Sequence, residues 1–208
     1  MRYNNSKISS SPTPRRRPSL TLQKSSAHKS ATTNFSNILR IAAGTYRGRT
    51  IATPKTAHPM GSRERLALMN TLAPYLKNAT VLDAFAGSGA LGIEALSRGA
   101  KSAVFVEKDP KSAKLIKNNL SSLGITNAKV VNRPAQTYLP NEVYDIILLD
   151  PPYDDFHPED FTHLPARLVK KGHLALSHPA SFTPILPGLT LLSTKKYAAC
   201  HISLFTKS

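Results

Sequence analysis

From residue 81 to the C-terminal region, short unbroken apolar runs alternate with segments whose apolar residues recur every three or four positions. The unbroken runs read as strands buried on both faces, and the longer period reads as one face of a helix. Residues 81–85 form the first such strand, and a helix over 90–98 follows it and stops at Gly99. A second strand over 103–106 ends at Glu107. Asp109 then caps a helix begun by Pro110, with Ala113, Ile116, Leu120 and Leu123 on one face and Gly124 beyond its end. Residues 128–131 and 143–149 are further strands. Pro158, Glu159 and Asp160 open a helical region that Pro165 splits into two short helices and Lys170-Lys171-Gly172 closes. Strands over 174–176, 190–193 and 198–205 complete the set. This succession predicts an α/β fold: a doubly wound, mainly parallel, seven-stranded Rossmann-like sheet.

Upstream, apolar stretches over 38–43 and 49–52 flank Gly44-Thr45-Tyr46-Arg47-Gly48, which predicts a β-hairpin. Residues 54–61 read as a linker. Ser62 is placed to cap a helix with Leu66, Met69, Leu72 and Ala73 on its apolar face, ended or kinked by Pro74. The expected organisation is a disordered basic tail over 1–36, a hairpin and linker over 37–61, and a catalytic domain over 62–208.

Charge sharpens this division. Residues 1–63 carry 12 Lys and Arg and no acid, whereas the remaining 145 carry 16 basic and 12 acidic side chains. A polyanionic partner accounts for such asymmetry. In the hairpin, Arg40, Arg47 and Arg49 interleave with Tyr46, a mixture suited to phosphate contact and base stacking, although an ordinary solvated hairpin has similar composition. Arg63 and Arg65 oppose the dipole of the helix they begin, which suggests a use elsewhere, such as phosphate binding. The Ser- and Arg-rich tail reads as an RNA-tethering arm, a solvated extension, a product of an upstream start codon, or an organelle transit peptide. The single cysteine, Cys200, excludes an intramolecular disulfide framework and reads as an inert buried strand thiol. No apolar run approaches the ~20 residues of a membrane span, so a cytoplasmic protein is expected, with an organelle as the alternative.

Two motifs carry chemistry. Gly87-Ser88-Gly89-Ala90-Leu91-Gly92 follows a strand and opens a helix, the arrangement that brings backbone N–H groups to a nucleotide. Asp83, at the strand end, is positioned to meet an ammonium group, which points away from a nicotinamide and towards S-adenosylmethionine. Glu107 lies 20 residues after Gly87, where a carboxylate can accept bonds from both ribose hydroxyls. Asp150-Pro151-Pro152-Tyr153 follows a later strand and has no role in hydride transfer. There the Asp150 carboxylate and Pro151 carbonyl can accept the two N–H bonds of an exocyclic base amine. The prolines stiffen the turn, and Tyr153 can stack on an extruded base. No metal is required.

With these residues in view, the stretch from about Leu39 to the C-terminus resembles the bacterial 16S rRNA guanine-N2 methyltransferases, a class I S-adenosylmethionine-dependent family. Residues 40–49 are similar to that family's hairpin, 83–99 to its cofactor loop and helix, and 150–153 to its amino-methyltransferase signature. The resemblance implies that Asp83, Phe85, Gly87, Ser88, Gly89, Glu107, Lys108 and Ala135 hold the cofactor. Asp150, Pro151, Pro152 and Tyr153 would orient the target amine, and Arg40, Tyr46, Arg47, Arg49, Arg63 and Arg65 would contact RNA. A monomer acting on 16S rRNA in a 30S particle or assembly intermediate is expected. Pro134 stands where relatives carry an Asp or Asn against the cofactor adenine, leaving the Ala135 N–H for that contact, and Ser177 stands where they often carry Glu. The 150–153 signature is shared with adenine-N6 enzymes of RNA or DNA, and a non-catalytic RNA-binding or assembly protein is the remaining alternative.

Overall fold

Apart from Met1, the computed structural model describes residues 37–54, 60–198 and 200–208. The tail expected over 1–36, and most of the linker, lie outside the described residues. The described residues from Asn37 to Ser208 belong to one compact unit.

Strands β1 (Asn37–Arg40) and β2 (Thr50–Thr53) pair antiparallel as the expected hairpin. Helix α1 (Ser62–Leu76) leads to β3 (Thr80–Asp83), α2 (Ala90–Ser97), β4 (Ser102–Glu107), α3 (Pro110–Leu123), β5 (Ala128–Asn132) and β6 (Tyr144–Leu149). The C-terminal strands are β7 (Leu168–His178), β8 (Leu189–Lys196) and β9 (His201–Lys207). The seven-stranded sheet has the order β5-β4-β3-β6-β7-β9-β8. The five strands from β5 to β7 run parallel, and β9 inserts antiparallel between β7 and β8. Strand order reverses at β3, between β4 and β6, where an open sheet leaves a crevice at the strands' carboxyl ends.

Apolar residues cover both faces of the sheet. Leu82, Val106, Ile147 and Leu176 bury into one layer, while Val81, Phe105, Ile146 and Leu148 face the helices on the other. Helix α3 has the caps read from the sequence: Asp109 accepts the Ser112 N–H at 2.8 Å, Pro110 is the first helical residue, and Gly124 closes the end in a left-handed turn. Helix α2 is apolar almost all round and is buried accordingly, with the sheet on one side and the hairpin on the other.

The hairpin is fastened to these helices through polar groups. The Glu94 carboxylate accepts the Ala42 and Ala43 N–H groups at 3.0 and 3.1 Å, and Ser97 Oγ accepts the Tyr46 N–H at 2.9 Å. Asn119 on α3 accepts the Ala52 N–H and donates back to its carbonyl, continuing the edge of β2.

Several local expectations are corrected. Gly61, not Ser62, occupies the cap of α1, and no side chain caps that end. Pro74 lies inside the helix, which continues to Leu76. The buried face of α1 is Arg65, Leu68, Met69, Leu72 and Leu76, whereas Leu66 and Ala73 are exposed. The region after Pro158 makes no α-helix. It holds short 3-10 turns at Pro158–Asp160 and Leu164–Arg167. Lys170-Lys171-Gly172 does not end the region but forms an irregularity inside β7, where pairing skips from Tyr144↔Leu168 to Ile146↔His173 and Lys171 takes φ 62°. The last strand starts at His201, so the buried Cys200 immediately precedes it.

Gly44 tests the hairpin's attachment. A Cβ there would lie 1.7 Å from the Ser97 carbonyl oxygen, whereas one on Gly48, with nearly the same φ (+82° against +81°), meets only an arginine tip at 4.0 Å. Gly48→Ala should therefore cost about 1–2 kcal/mol for left-handed backbone. Gly44→Ala should lose that plus about 1–3 kcal/mol for the displaced carbonyl. Urea denaturation of the two variants measures the difference.

Candidate active site

Strands β4, β3 and β6 are neighbours and parallel, so Glu107, Asp83 and Asp150 emerge side by side at the strands' carboxyl ends. Asp83 is 1% exposed. Its Oδ2 accepts the Gly92 N–H at 2.9 Å, while its Oδ1 is buried with no hydrogen-bond partner among the described residues. Burial is the main force pushing this carboxyl up to about 7. The Gly92 bond opposes it, and the negative charges of Asp150 and Glu107 add to it. The third glycine of the loop has a packing role as well. Any Cβ on Gly92 would lie 2.4 Å from the Phe105 ring, so the helix turn that reaches Asp83 needs glycine there.

Glu107 is half-buried at the end of β4. Its Oε2 accepts the Gly87 N–H at 2.7 Å and its Oε1 the Asp109 N–H at 2.8 Å. Desolvation raises its pKa, and these two backbone bonds oppose the rise. A carboxylate offers roughly four acceptor positions, so both oxygens keep a lone pair for a pair of hydroxyls. Ser88 is buried, and its carbonyl accepts from Asn119 Nδ2 at 3.0 Å. Gly87 and Gly89 both take positive φ as the loop turns into α2. Phe85 is half-buried and meets Phe161 edge-on at 6.1 Å. Ala135 is buried at the start of a 3-10 turn (Ala135–Thr137), directly after Pro134. Lys108 is exposed and pairs with Asp155 at 3.6 Å, reaching across to the turn that follows Asp150.

These groups fit S-adenosylmethionine. The unpartnered Asp83 oxygen suits an ammonium, and the Glu107 oxygens suit ribose hydroxyls. The Gly87–Gly89 turn exposes backbone where the chain of the cofactor would cross the strand ends. S-adenosylmethionine is thus the cofactor for which this crevice is built.

Asp150 follows β6 with Pro151 buried beneath it. Burial lifts its carboxyl to about 6, against hydrogen bonds from Ser177 and Tyr153. The Tyr153 hydroxyl lies 3.4 Å from Asp150 Oδ1 and is hydrogen-bonded to Ser177, at the end of β7. Tyr153 is half-buried against the helix-side core, so its hydroxyl braces the carboxylate from within the fold.

On the hairpin, Arg40, Arg47 and Arg49 are exposed and Tyr46 is half-buried; Arg63 is exposed at the start of α1. Arg65 departs from the expected RNA surface. It is 4% exposed, donates to the Arg40 carbonyl at 3.4 Å and lies in the field of Glu94, so it fastens the hairpin to α1 from inside. The sequence gives no role to Glu94, Asn119 or Asn132 by itself. Asn132 donates to the Glu107 and Lys108 carbonyls at 2.8 and 3.1 Å, holding the end of β5 to that of β4. A lone acid in the apolar run of α2 and an amide on the buried face of α3 were the available signals.

Comparison with known proteins follows the same geometry. Residues 39–206 match the family described as conserved hypothetical protein 95. The chain belongs to this family. It is 41% identical over 119 residues to ribosomal RNA small subunit methyltransferase D of Escherichia coli K12, a match covering 55% of this chain and 60% of that protein. It is 38% identical over 133 residues to the protein of the same name from Haemophilus influenzae, covering 60% of this chain and 69% of the relative. The matches thus span only part of the length of these relatives. Among solved structures, yhhF from Escherichia coli superposes with a TM-score of 0.76 at 32% identity, covering 83% of this chain and 99% of that one. A hypothetical protein from Thermus thermophilus gives 0.71 at 34% identity, covering 80% and 98%.

Asp83 makes the family site sensitive to pH. The unfolded chain ionises this residue near its ordinary value of about 3.9, and the folded protein only at about 7. Stability from this group is therefore present at low pH and lost as pH rises through that interval. Asp83→Asn should consequently gain melting temperature relative to wild type more at pH 8 than at pH 5 in the cofactor-free state. In calorimetric titration, wild-type affinity for S-adenosylmethionine should fall as pH drops below about 7, and the variant should bind weakly at every pH.

Proposed function

We infer that this protein transfers a methyl group from S-adenosylmethionine to the exocyclic N2 amine of a guanine in 16S rRNA, acting as a monomer on a 30S particle or assembly intermediate. The observation that carries the reading is the convergence of Asp83, with its unpartnered oxygen, and Asp150-Pro151-Pro152-Tyr153 at neighbouring strand ends. The names of the Escherichia coli and Haemophilus influenzae relatives support ribosomal RNA as the substrate class.

When bound, the cofactor supplies an electrophilic methyl group on a sulfonium. The remainder is the work of this chain. An exocyclic amine is a poor nucleophile because its lone pair is delocalised into the ring. The Asp150 carboxylate accepts one of its N–H bonds and the Pro151 carbonyl the other, which turns the lone pair out of conjugation. Tyr153 and Ser177 hold Asp150 in register for this contact. An ionised Asp150 accepts more strongly than a protonated one, so its elevated pKa of about 6 leaves it competent at neutral pH. Positioning of this kind supplies most of the rate. Arg40, Arg47 and Arg49, exposed on the hairpin with Tyr46, carry the RNA contact, together with Arg63.

Asp150→Ala should reduce methyl transfer by about 100-fold or more while leaving cofactor affinity within a factor of a few, since Asp83 and Glu107 remain. Radiolabelled transfer to undermethylated 30S particles, followed by nucleoside mass spectrometry, reads both rate and product. N2-methylguanosine supports the reading, N6-methyladenosine reassigns the base, and RNA binding without any methylated product identifies a binding protein instead.

A further inference from the structure

No Asp or Glu precedes Glu64, and none occurs between Asp109 and Glu142. The fold brings these two acid-free stretches together. Ala52 pairs with Asn119, and Arg49 Nη2 donates to the Ser122 carbonyl at 2.9 Å, in the last turn of α3. Because α3 buries Ala113, Ile116, Asn119, Leu120 and Leu123, it turns Lys111, Lys114 and Lys117 to solvent as a stripe at three-residue steps. Among the described residues no carboxylate lies within 4.0 Å of any of the three. Asp109, just before Lys111, is occupied in capping Ser112.

Beside Lys117 the surface dips into a depression of about 440 Å³ between α3 and the edge strand β5, floored by Leu120, Ile125 and Val130 and edged by Ser121 and Thr126. A solvated helix face ordinarily mixes both signs of charge. This one carries only cations, belongs to a helix whose last turn meets Arg49, and ends at a hollow with hydroxyls on its rim. Apart from Asp109 at its start, exposed acids gather elsewhere, at Asp154, Asp155 and Glu159 after β6.

We propose that Lys111, Lys114 and Lys117, with the hollow beside Lys117, form a second RNA contact that receives the phosphodiester backbone beyond the target nucleotide, continuous with the hairpin through Arg49. This rests on the reading of the substrate as RNA. Phosphates take the lysines as point charges, and a ribose or base can enter the hollow, whose apolar floor and hydroxyl rim suit an amphipathic nucleotide. The surface carries no base-specific donor fork, so it contributes affinity and register rather than choice of base.

The test compares the full-length triple variant Lys111→Gln, Lys114→Gln, Lys117→Gln with a control losing equal charge from the other side of the sheet: Lys170→Gln and Lys171→Gln in β7 with Lys196→Gln in β8. Binding to 16S rRNA is measured across a salt series, alongside melting temperature and S-adenosylmethionine affinity. The log–log salt slope of the α3 variant should fall by about 2–3, since each lost phosphate contact removes about 0.7–0.9. Its KM for RNA should rise while kcat and cofactor affinity hold, and the control should keep the wild-type slope. An α3 variant indistinguishable from the control, with wild type binding RNA normally, overturns the second contact alone. Wild type that binds no RNA overturns the substrate reading beneath it.

Discussion

A carboxylate at the end of β3 is buried with one oxygen satisfied and the other not, and the rest of the site is arranged around that imbalance. Leaving a buried acceptor unpaired costs free energy comparable to a lost hydrogen bond. The fold tolerates the cost by shifting Asp83 towards its protonated form. It supplies the satisfied oxygen with the Gly92 N–H, which is available only because α2 presses close enough on Phe105 to exclude any side chain at that position. An incoming cation would reverse the imbalance.

The second dependence runs through the hairpin. In isolation a two-stranded ribbon is marginal in water, and this one gains its order from α2 and α3. Glu94, Ser97 and Asn119 satisfy its backbone amides, and Arg65 takes the Arg40 carbonyl from beneath. Asn119 also donates to the Ser88 carbonyl, so one buried amide touches both the hairpin and the cofactor loop. Surface cations on the hairpin are therefore presented by a ribbon anchored on the C-terminal turns of α2 and α3 rather than by a free arm.

Much of this was legible in the chain. The parallel strands appear as unbroken apolar runs, because a strand covered on both faces needs no polar side. The cofactor loop and Asp150-Pro151-Pro152-Tyr153 appear because glycine and proline impose local backbone geometry. The caps of α3 appear for the same reason: Asp109, Pro110 and Gly124 act on their immediate neighbours. Helix α1 resisted reading because its buried face is set from outside. An arginine is drawn in by Glu94 and the Arg40 carbonyl, while Leu66 is left out.

The sequence by itself thus determined the sheet, the glycine turn, the reactive signature and the separation of positive from mixed charge, since each rests on short-range periodicity, backbone restriction or simple composition. Tertiary structure alone decided which polar side chains became fasteners and which stayed free. Arg65 and Arg63 differ by two residues, yet one is enclosed and the other exposed. Tyr153 turns its hydroxyl onto Asp150 because Ser177 arrives from another strand. Arg49 meets the last turn of the helix that carries Lys111, Lys114 and Lys117 only because β2 lies along α3. Burial and charge fields act across space, and the partners in each case come from distant parts of the chain.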